Sequence, residues 1–426
     1  MELATAKSPK LNIPFRYLFT GTGILIFICL IIVLKPEALT QNYFRSPVLL
    51  PLTHLLTLGC ITITIIGAMF QLVPVITERQ LYSEGIARAA YYIYIISIAW
   101  LIYAFSTFNT PAVPAGLLSL AILLFIVDMI LTFTNKGTAA AQNGVKLRRD
   151  ISVWFIVTAI GFLFITLIIG SIAAAGLDKQ FIVHPMALLH IHIAIAGIGF
   201  VTLVIIGFSF KLVPMFILSH GYEETKALVA FVLFLSGIIL LTLHFFLLHS
   251  YTFVYWLGIL AGIIIFTGII FYVLQMLDIY RHRARKHIDP GIWLSITATG
   301  YLIITGVLGL YIIAFKHSFR LDIVYAVLGL FGWAVLYIMG MMHKIVPFLH
   351  WYNKYSSKIG LQKVPMTKDM INERLTWIQL YLSNIGLILL VSGILTGLIG
   401  LIFAGGIILF VDTIIYGWNI FNVIRR

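Results

Sequence analysis

Twelve histidines occur in a chain of 426 residues, and five of them, His54, His190, His192, His244 and His249, fall inside or at the edge of long apolar runs. Neutral imidazole is the commonest nitrogen ligand for haem iron and for copper, and it also carries protons. The two cysteines, Cys29 and Cys60, both lie within apolar runs, which leaves no disulfide framework, no CxxCH attachment site for haem and no paired-thiolate copper site. An electron-carrying metal would therefore be held by histidine. His190 and His192 are two residues apart, about 200° around a helix, and do not readily aim at one metal together. His343 and His350, seven apart beside Lys344 and Trp351, share a helix face and form a weaker candidate site; the plainer reading is a pair of interfacial histidines.

The elements that must position these side chains are transmembrane helices. The composition is 61% hydrophobic and 10% charged, with a mean hydropathy of +1.06, and apolar stretches of bilayer-spanning length follow one another almost throughout, as in an all-α integral membrane protein. Hydropathy places twelve helices at about 17–34, 49–76, 89–106, 113–134, 151–175, 185–217, 227–250, 253–277, 292–315, 321–348, 375–396 and 398–421. The net charge of +13 invites a nucleic-acid reading, but its distribution excludes one. Of the 28 Lys and Arg residues, 23 fall on one side of this topology, and only Lys35, Arg45, Lys179, Lys316 and Arg320 fall on the other. The positive-inside bias then puts both termini in the cytoplasm of a multi-pass cell-membrane (plasma or inner membrane) protein. The clusters Lys146/Arg148/Arg149 and Arg281/Arg283/Arg285/Lys286 read as topology anchors beside anionic headgroups. Lys7, Lys10 and Arg16 precede an uninterrupted apolar helix with no clear small-residue cleavage site, so the first span is expected to be retained.

With that topology, His54, His190, His192 and His244 lie on the order of 5 to 12 Å below the outer surface, on three different helices. A polar layer at this depth is costly unless it faces the bundle interior and finds partners, which makes it a functional candidate. The competing reading is that the same histidines cap or cross-link helices, or meet water at the interface.

An octad recurs three times: Gly67-Ala-Met-Phe-Gln-Leu-Val-Pro74, Gly207-Phe-Ser-Phe-Lys-Leu-Val-Pro214 and Gly340-Met-Met-His-Lys-Ile-Val-Pro347. Each copy is followed two apolar runs later by an aspartate, Asp128, Asp278 or Asp412. The single transmembrane domain, 1–426, thus divides into repeats of about 1–136, 137–281 and 282–426, four helices each. The glycine and proline are expected to permit close packing and to end each inward helix. The aspartates either feed protons inward or form ion pairs at helix ends near Lys136, Arg281 and Arg425. His192 and Tyr325 each stand twenty-two residues before the repeat proline, and His54 twenty before its own. A two-residue shift that matches His54-Leu-Leu-Thr-Leu-Gly59 to His192-Ile-Ala-Ile-Ala-Gly197 makes His54 and His192 equivalent inward positions, with Tyr325 the third.

Twelve helices with cytoplasmic termini, three four-helix repeats in a pseudo-threefold arrangement, and outer-level histidines on helices 2, 6 and 7 resemble subunit I, the catalytic subunit of the haem-copper oxidases. The segment Gly-x-x-Phe-x-Leu-Val-Pro followed by Leu81-Tyr82-Ser83 is similar in particular to C-type oxidases and nitric oxide reductases. The resemblance implies that His54 ligates a low-spin b-type haem and that His192 and His244 hold copper. The chain departs from the family in helix 10, where Asp322-Ile-Val-Tyr325-Ala-Val-Leu-Gly-Leu-Phe-Gly-Trp333 carries no histidine pair, and in helix 7, where His244 and His249 are five apart. The standard two-haem, one-copper centre is therefore incomplete, and whether this chain catalyses an oxidase or reductase reaction stays open. A reduced site is expected instead. His54 and His192 could clamp one b-type haem, with Tyr325 ligating or hydrogen-bonding there, or His192, His244 and either His190 or His249 could hold one copper.

The function implied is that of a haem- or copper-binding membrane redox protein acting in electron transfer, in oxygen or nitric oxide chemistry, or in sensing. Its partners would be an electron donor and additional respiratory subunits. The alternative is a metal-free transporter or a proton or solute channel that uses the intramembrane His and Asp side chains. Transporters more often repeat twofold than threefold, which favours the redox reading.

Overall fold

The computed structural model describes residues 11–41, 46–77, 79–135, 150–247 and 254–425. His249, Lys136 and the cluster Lys146/Arg148/Arg149 lie outside them. Among the described residues, twelve helices are long and apolar enough to cross a bilayer. They are α1 (Asn12–Leu34), α2 (Leu49–Thr77), α3 (Glu84–Thr107), α4 (Ala112–Thr134), α5 (Ile151–Lys179), α6 (Pro185–Ile217), α7 (Thr225–Leu247), α8 (Val254–Arg281), α9 (Pro290–Ala314), α10 (Phe319–Lys358), α11 (Glu373–Thr396) and α12 (Ile399–Arg425).

Polar residues cap α3, which starts five residues earlier than hydropathy suggests, α11, which starts two residues earlier, and α5, which starts where expected. Ser83 Oγ accepts from Ile86 N, Asp150 from Ser152 N, and Asn372 from Arg374 N and Leu375 N. The helices do not end at the repeat prolines. Pro74 and Pro214 lie inside α2 and α6, and α10 continues past Pro347 to Lys358. A proline removes only its own N–H, while its carbonyl still accepts: Arg79 N bonds to Pro74 O and Ser219 N to Pro214 O. What ends α6 is Leu218 in the left-handed conformation, φ 54°.

Helices α2, α6 and α10 differ from the other nine. Their apolar cores are 83%, 78% and 67% buried, against 17–44% elsewhere. Each contains an eight-residue π-helical segment, Leu55–Thr62, Ile195–Thr202 and Leu328–Val335, that ends five residues before the repeat glycine. π-turns are rare and concentrate at functional sites.

The chain forms two compact units. One comprises Phe70–Lys286 and Leu302–His317; the other Pro9–Met69, His287–Tyr301 and Ser318 to the C-terminus. In the first, Phe155 of α5 packs edge-on against Phe210 of α6 and Phe231 of α7, and Phe210 against Tyr272 of α8. Gly207 lets α6 approach α5: a Cβ there would lie 2.8 Å from Phe155 Cβ. In the second unit, Gly67 meets Tyr17 of α1 at 2.6 Å and Gly340 meets the Gly291 carbonyl of α9 at 2.5 Å by the same measure. The contacted residues have one spacing in each case, Pro14/Tyr17/Leu18, Ser152/Phe155/Ile156 and Gly291/Leu294/Ser295. Each repeat glycine thus seats its helix on the opening turns of the helix before it.

Polar side chains tie the helix hairpins. Asp128 of α4 accepts from Ser83 N, Gln275 of α8 from Ala227 N, and Asn419 of α12 from Asn372 N, so the start of α3, α7 or α11 is satisfied by the helix that follows.

Candidate histidine sites

Helix α6 opens at His184-Pro185, proline serving as a first-turn residue. One to two turns on, its two histidines diverge. The exposed His190 ring stacks on Phe245 of α7, with centroids 4.9 Å apart and planes 21° apart. The half-buried His192 ring lies against α5, where a Cβ on Gly170 would be 3.0 Å from its Cε1. The contacts follow the helical geometry: two residues along an α-helix turn a side chain to nearly the opposite face.

His244 of α7 is 5% exposed. Its Nδ1 lies 2.7 Å from the carbonyl of Val254, at the start of α8. Gly258 makes room for the ring, since a Cβ there would come within 2.7 to 2.8 Å of it. Phe245 contacts both His190 and His244, and among the described residues no group of three His, Cys, Asp or Glu side chains could hold a metal ion. The imidazoles of His190, His192 and His244 therefore do not fit one copper.

In the other unit, half-buried His54 closes the α-helical start of α2 immediately before its π segment, and its Nδ1 lies 2.9 Å from the carbonyl of Leu50. A carbonyl can only accept, so Nδ1 carries the proton in His54 and in His244, and the ring lone pair sits on Nε2. This is the state in which metal-bound histidines are held by their outer partners. In that state the His54 ring keeps a basic nitrogen of the kind that ligates metals.

The π segments also fix the register between repeats. His192 and Tyr325 both stand three residues before their segments and are equivalent, whereas His54 directly precedes its own and matches Ala194 and Val327. The two-residue shift that would equate His54 with His192 has no counterpart in the backbone, because π segment, glycine and proline keep one spacing in all three helices. Tyr325 is half-buried, and the π segments of α2 and α10 pack directly on each other within the second unit. His54 and Tyr325 each lie within a turn of that contact.

His343 is buried among the helices rather than exposed. It is 3% exposed, meets Tyr416 of α12 edge-on at 5.5 Å, and lies against Gly291 of α9. The half-buried His350 precedes Trp351, whose indole donates to Pro365 O at 2.6 Å. The repeat aspartates take three different partners: Asp128 the Ser83 amide at 2.9 Å, Asp278 the Lys226 ammonium at 2.8 Å with His282 at 3.3 Å, and Asp412 the Ser383 hydroxyl at 2.5 Å. Among the described residues, which do not include Lys136, ion pairing holds for Asp278 alone of the three, with Lys226 rather than Arg281 as the hydrogen-bonded cation. Gln379, Ser383 and Tyr416, beside His343 and Asp412, escaped the sequence reading. Their signal was a four-residue polar spacing, Gln379/Ser383 and Asp412/Tyr416, within two otherwise apolar helices.

Outside the spans, burial alone would raise the Asp150 carboxyl. The hydrogen bond and charge of Lys211 at 2.9 Å, together with Ser152, hold it below the usual carboxylate range.

No protein-family model matches the chain, and no curated protein matches it.

Proposed function

We propose that this chain is a membrane redox protein in which His54 supplies an axial imidazole to a b-type haem, with Tyr325 as the oxygen donor at the same edge of the α2–α10 contact. The observation that carries this reading is the pinned imidazole of His54: Nδ1 is committed to Leu50 O, Nε2 bears the lone pair, and the ring stands at the lip of a π segment. A haem bound there would supply one-electron transfer. The protein's part is to fix the tautomer through Leu50, to surround the ring with the apolar side chains of α2, and to tune the site through the phenol of Tyr325. Copper does not enter the proposal, because the imidazoles of α6 turn to different neighbours. The sorting of basic residues supports cytoplasmic termini. The shared spacing of π segment, glycine and proline supports three copies of one four-helix unit, as the resemblance to haem-copper oxidases implies. An electron donor and additional respiratory subunits belong to the same proposal.

Absorption spectra of the purified full chain, oxidised and dithionite-reduced, test the haem. A Soret band is expected in the wild type and in His190→Ala, and its loss in His54→Ala. A wild-type protein that shows no Soret band after haem is offered, or a band unchanged in His54→Ala, overturns the proposal. A metal-free carrier or channel is then the reading left standing, and the buried carboxyl of Asp412 between α11 and α12 favours it.

A further inference from the structure

Five polar side chains in the second unit close into a ring within the membrane-spanning part of the chain. Asp412 Oδ2 accepts from Ser383 Oγ at 2.5 Å. Ser383 lies one turn from Gln379 on the same face of α11. The Gln379 amide stands beside the imidazole of His343 without a hydrogen bond of regular geometry. His343 meets the ring edge of Tyr416 at 5.5 Å, and Tyr416 is one turn from Asp412 on α12.

All five side chains are between 0% and 3% exposed. Asp412 Oδ1 finds no partner within the protein, and the amide atoms of Gln379 and the ring nitrogens of His343, which face each other, make no hydrogen bond of regular geometry there. Buried polar atoms are satisfied in almost every case, and an unmatched one costs about 1–3 kcal/mol. Five such atoms on three neighbouring helices therefore mark a site whose occupant completes them.

The chemistry of the five atoms selects that occupant. Gln379 offers an NH2 group with two donor hydrogens and an acceptor oxygen, neutral His343 one donor and one acceptor, and Asp412 Oδ1 an acceptor or, when protonated, a donor. A metal cation would leave the donors unmet, and an anion would leave the acceptors unmet. Water, which donates and accepts, meets both. Tyr416 also lines a small cavity with Thr22 of α1, Cys60 and Thr64 of α2 and Met339 of α10, and its hydroxyl meets Thr22. At the other end, His343 adjoins Lys344, which is ion-paired with Asp289 at the start of α9. The remaining titratable neighbours are Cys29 of α1, beside Thr413, and Cys60 of α2.

We infer that Asp412, Gln379 and His343, closed by Ser383 and Tyr416, form an intramembrane water site in which Asp412 takes up and releases a proton. On uptake, an O–H bond forms at Asp412 Oδ1 as an O–H bond of the adjacent protonated water breaks; release reverses this, and no electrons move. The site is independent of the haem reading and needs no cofactor to be observed.

Infrared difference spectra of the reconstituted full chain, taken between buffers of high and low pH and then in D2O, test it. A protonated-carboxyl C=O band is expected that disappears in Asp412→Asn, moves to higher frequency in Ser383→Ala as the hydrogen bond is lost, and shifts down within minutes of exchange into D2O. Asp412→Glu should retain a shifted band. Should Asp412→Asn fail to fold, the Ser383→Ala shift and the D2O shift decide the question. The inference is overturned by the absence of any such band, by a band indifferent to both variants, or by D2O exchange that requires unfolding.

Discussion

His244 is fixed by a carbonyl on one side and a glycine on the other. Its Nδ1 lies 2.7 Å from Val254 O and its ring fills the notch above Gly258, so it locks α7 to the start of α8. Replacing it with alanine removes a buried hydrogen bond and leaves a void, and should lower stability by about 2–4 kcal/mol. His190→Ala, at an exposed ring, should cost less than about 1 kcal/mol. Thermal unfolding in detergent, followed by tryptophan fluorescence, separates the two. Asp150 allows a pH test outside the membrane. Its carboxyl is depressed in the folded protein by Lys211, so its contribution is complete above the ordinary carboxylate range and is lost as pH falls through the folded value. Asp150→Ala should lower stability at neutral pH by about 1 kcal/mol, most of it the lost α5 cap, and should flatten the acid limb of the unfolding midpoint against pH. His244 was visible as a candidate in the chain, whereas Asp150 was not. Which carbonyl or cation each would meet was not legible there, because Val254 and Lys211 reach them only after helices pack.

Among the elements, α2, α6 and α10 carry the construction. Gly207 is one of three repeat glycines that admit the helix before them, and a methyl there would meet Phe155 at 2.8 Å. Gly207→Ala should therefore destabilise by about 1–3 kcal/mol. Gly197→Ala, with nothing within 4 Å of the new methyl, should be neutral or stabilising by up to about 1 kcal/mol. The same unfolding assay reads both, and an equal cost at the two positions would contradict the close-approach role. The sequence marked these glycines by repetition and marked the spans by length. It misjudged the prolines as helix ends, since losing one N–H near the end of a long buried helix is not enough to break it. It could not announce the π segments at all: one extra residue per turn leaves no compositional trace, yet their constant distance from glycine and proline removes the two-residue shift that would equate His54 with His192.

At the scale of the molecule, the distribution of 28 basic residues makes a prediction that hydropathy alone does not. Reporter domains fused at either terminus should both report the cytoplasmic side, and weakening that bias should require removing basic residues such as the Arg281/Arg283/Arg285/Lys286 cluster after α8. The twelve spans and the recurring Gly…Pro octad were determined by the sequence alone, because bilayer insertion sums local apolarity over about 20 residues and a repeat is a property of spacing. Only the tertiary structure decided which neighbour each imidazole faces, and that Asp412, Ser383, Gln379, His343 and Tyr416 close on one another. Those contacts join helices separated by tens of residues along the chain, and the direction of each side chain is set where helix surfaces meet.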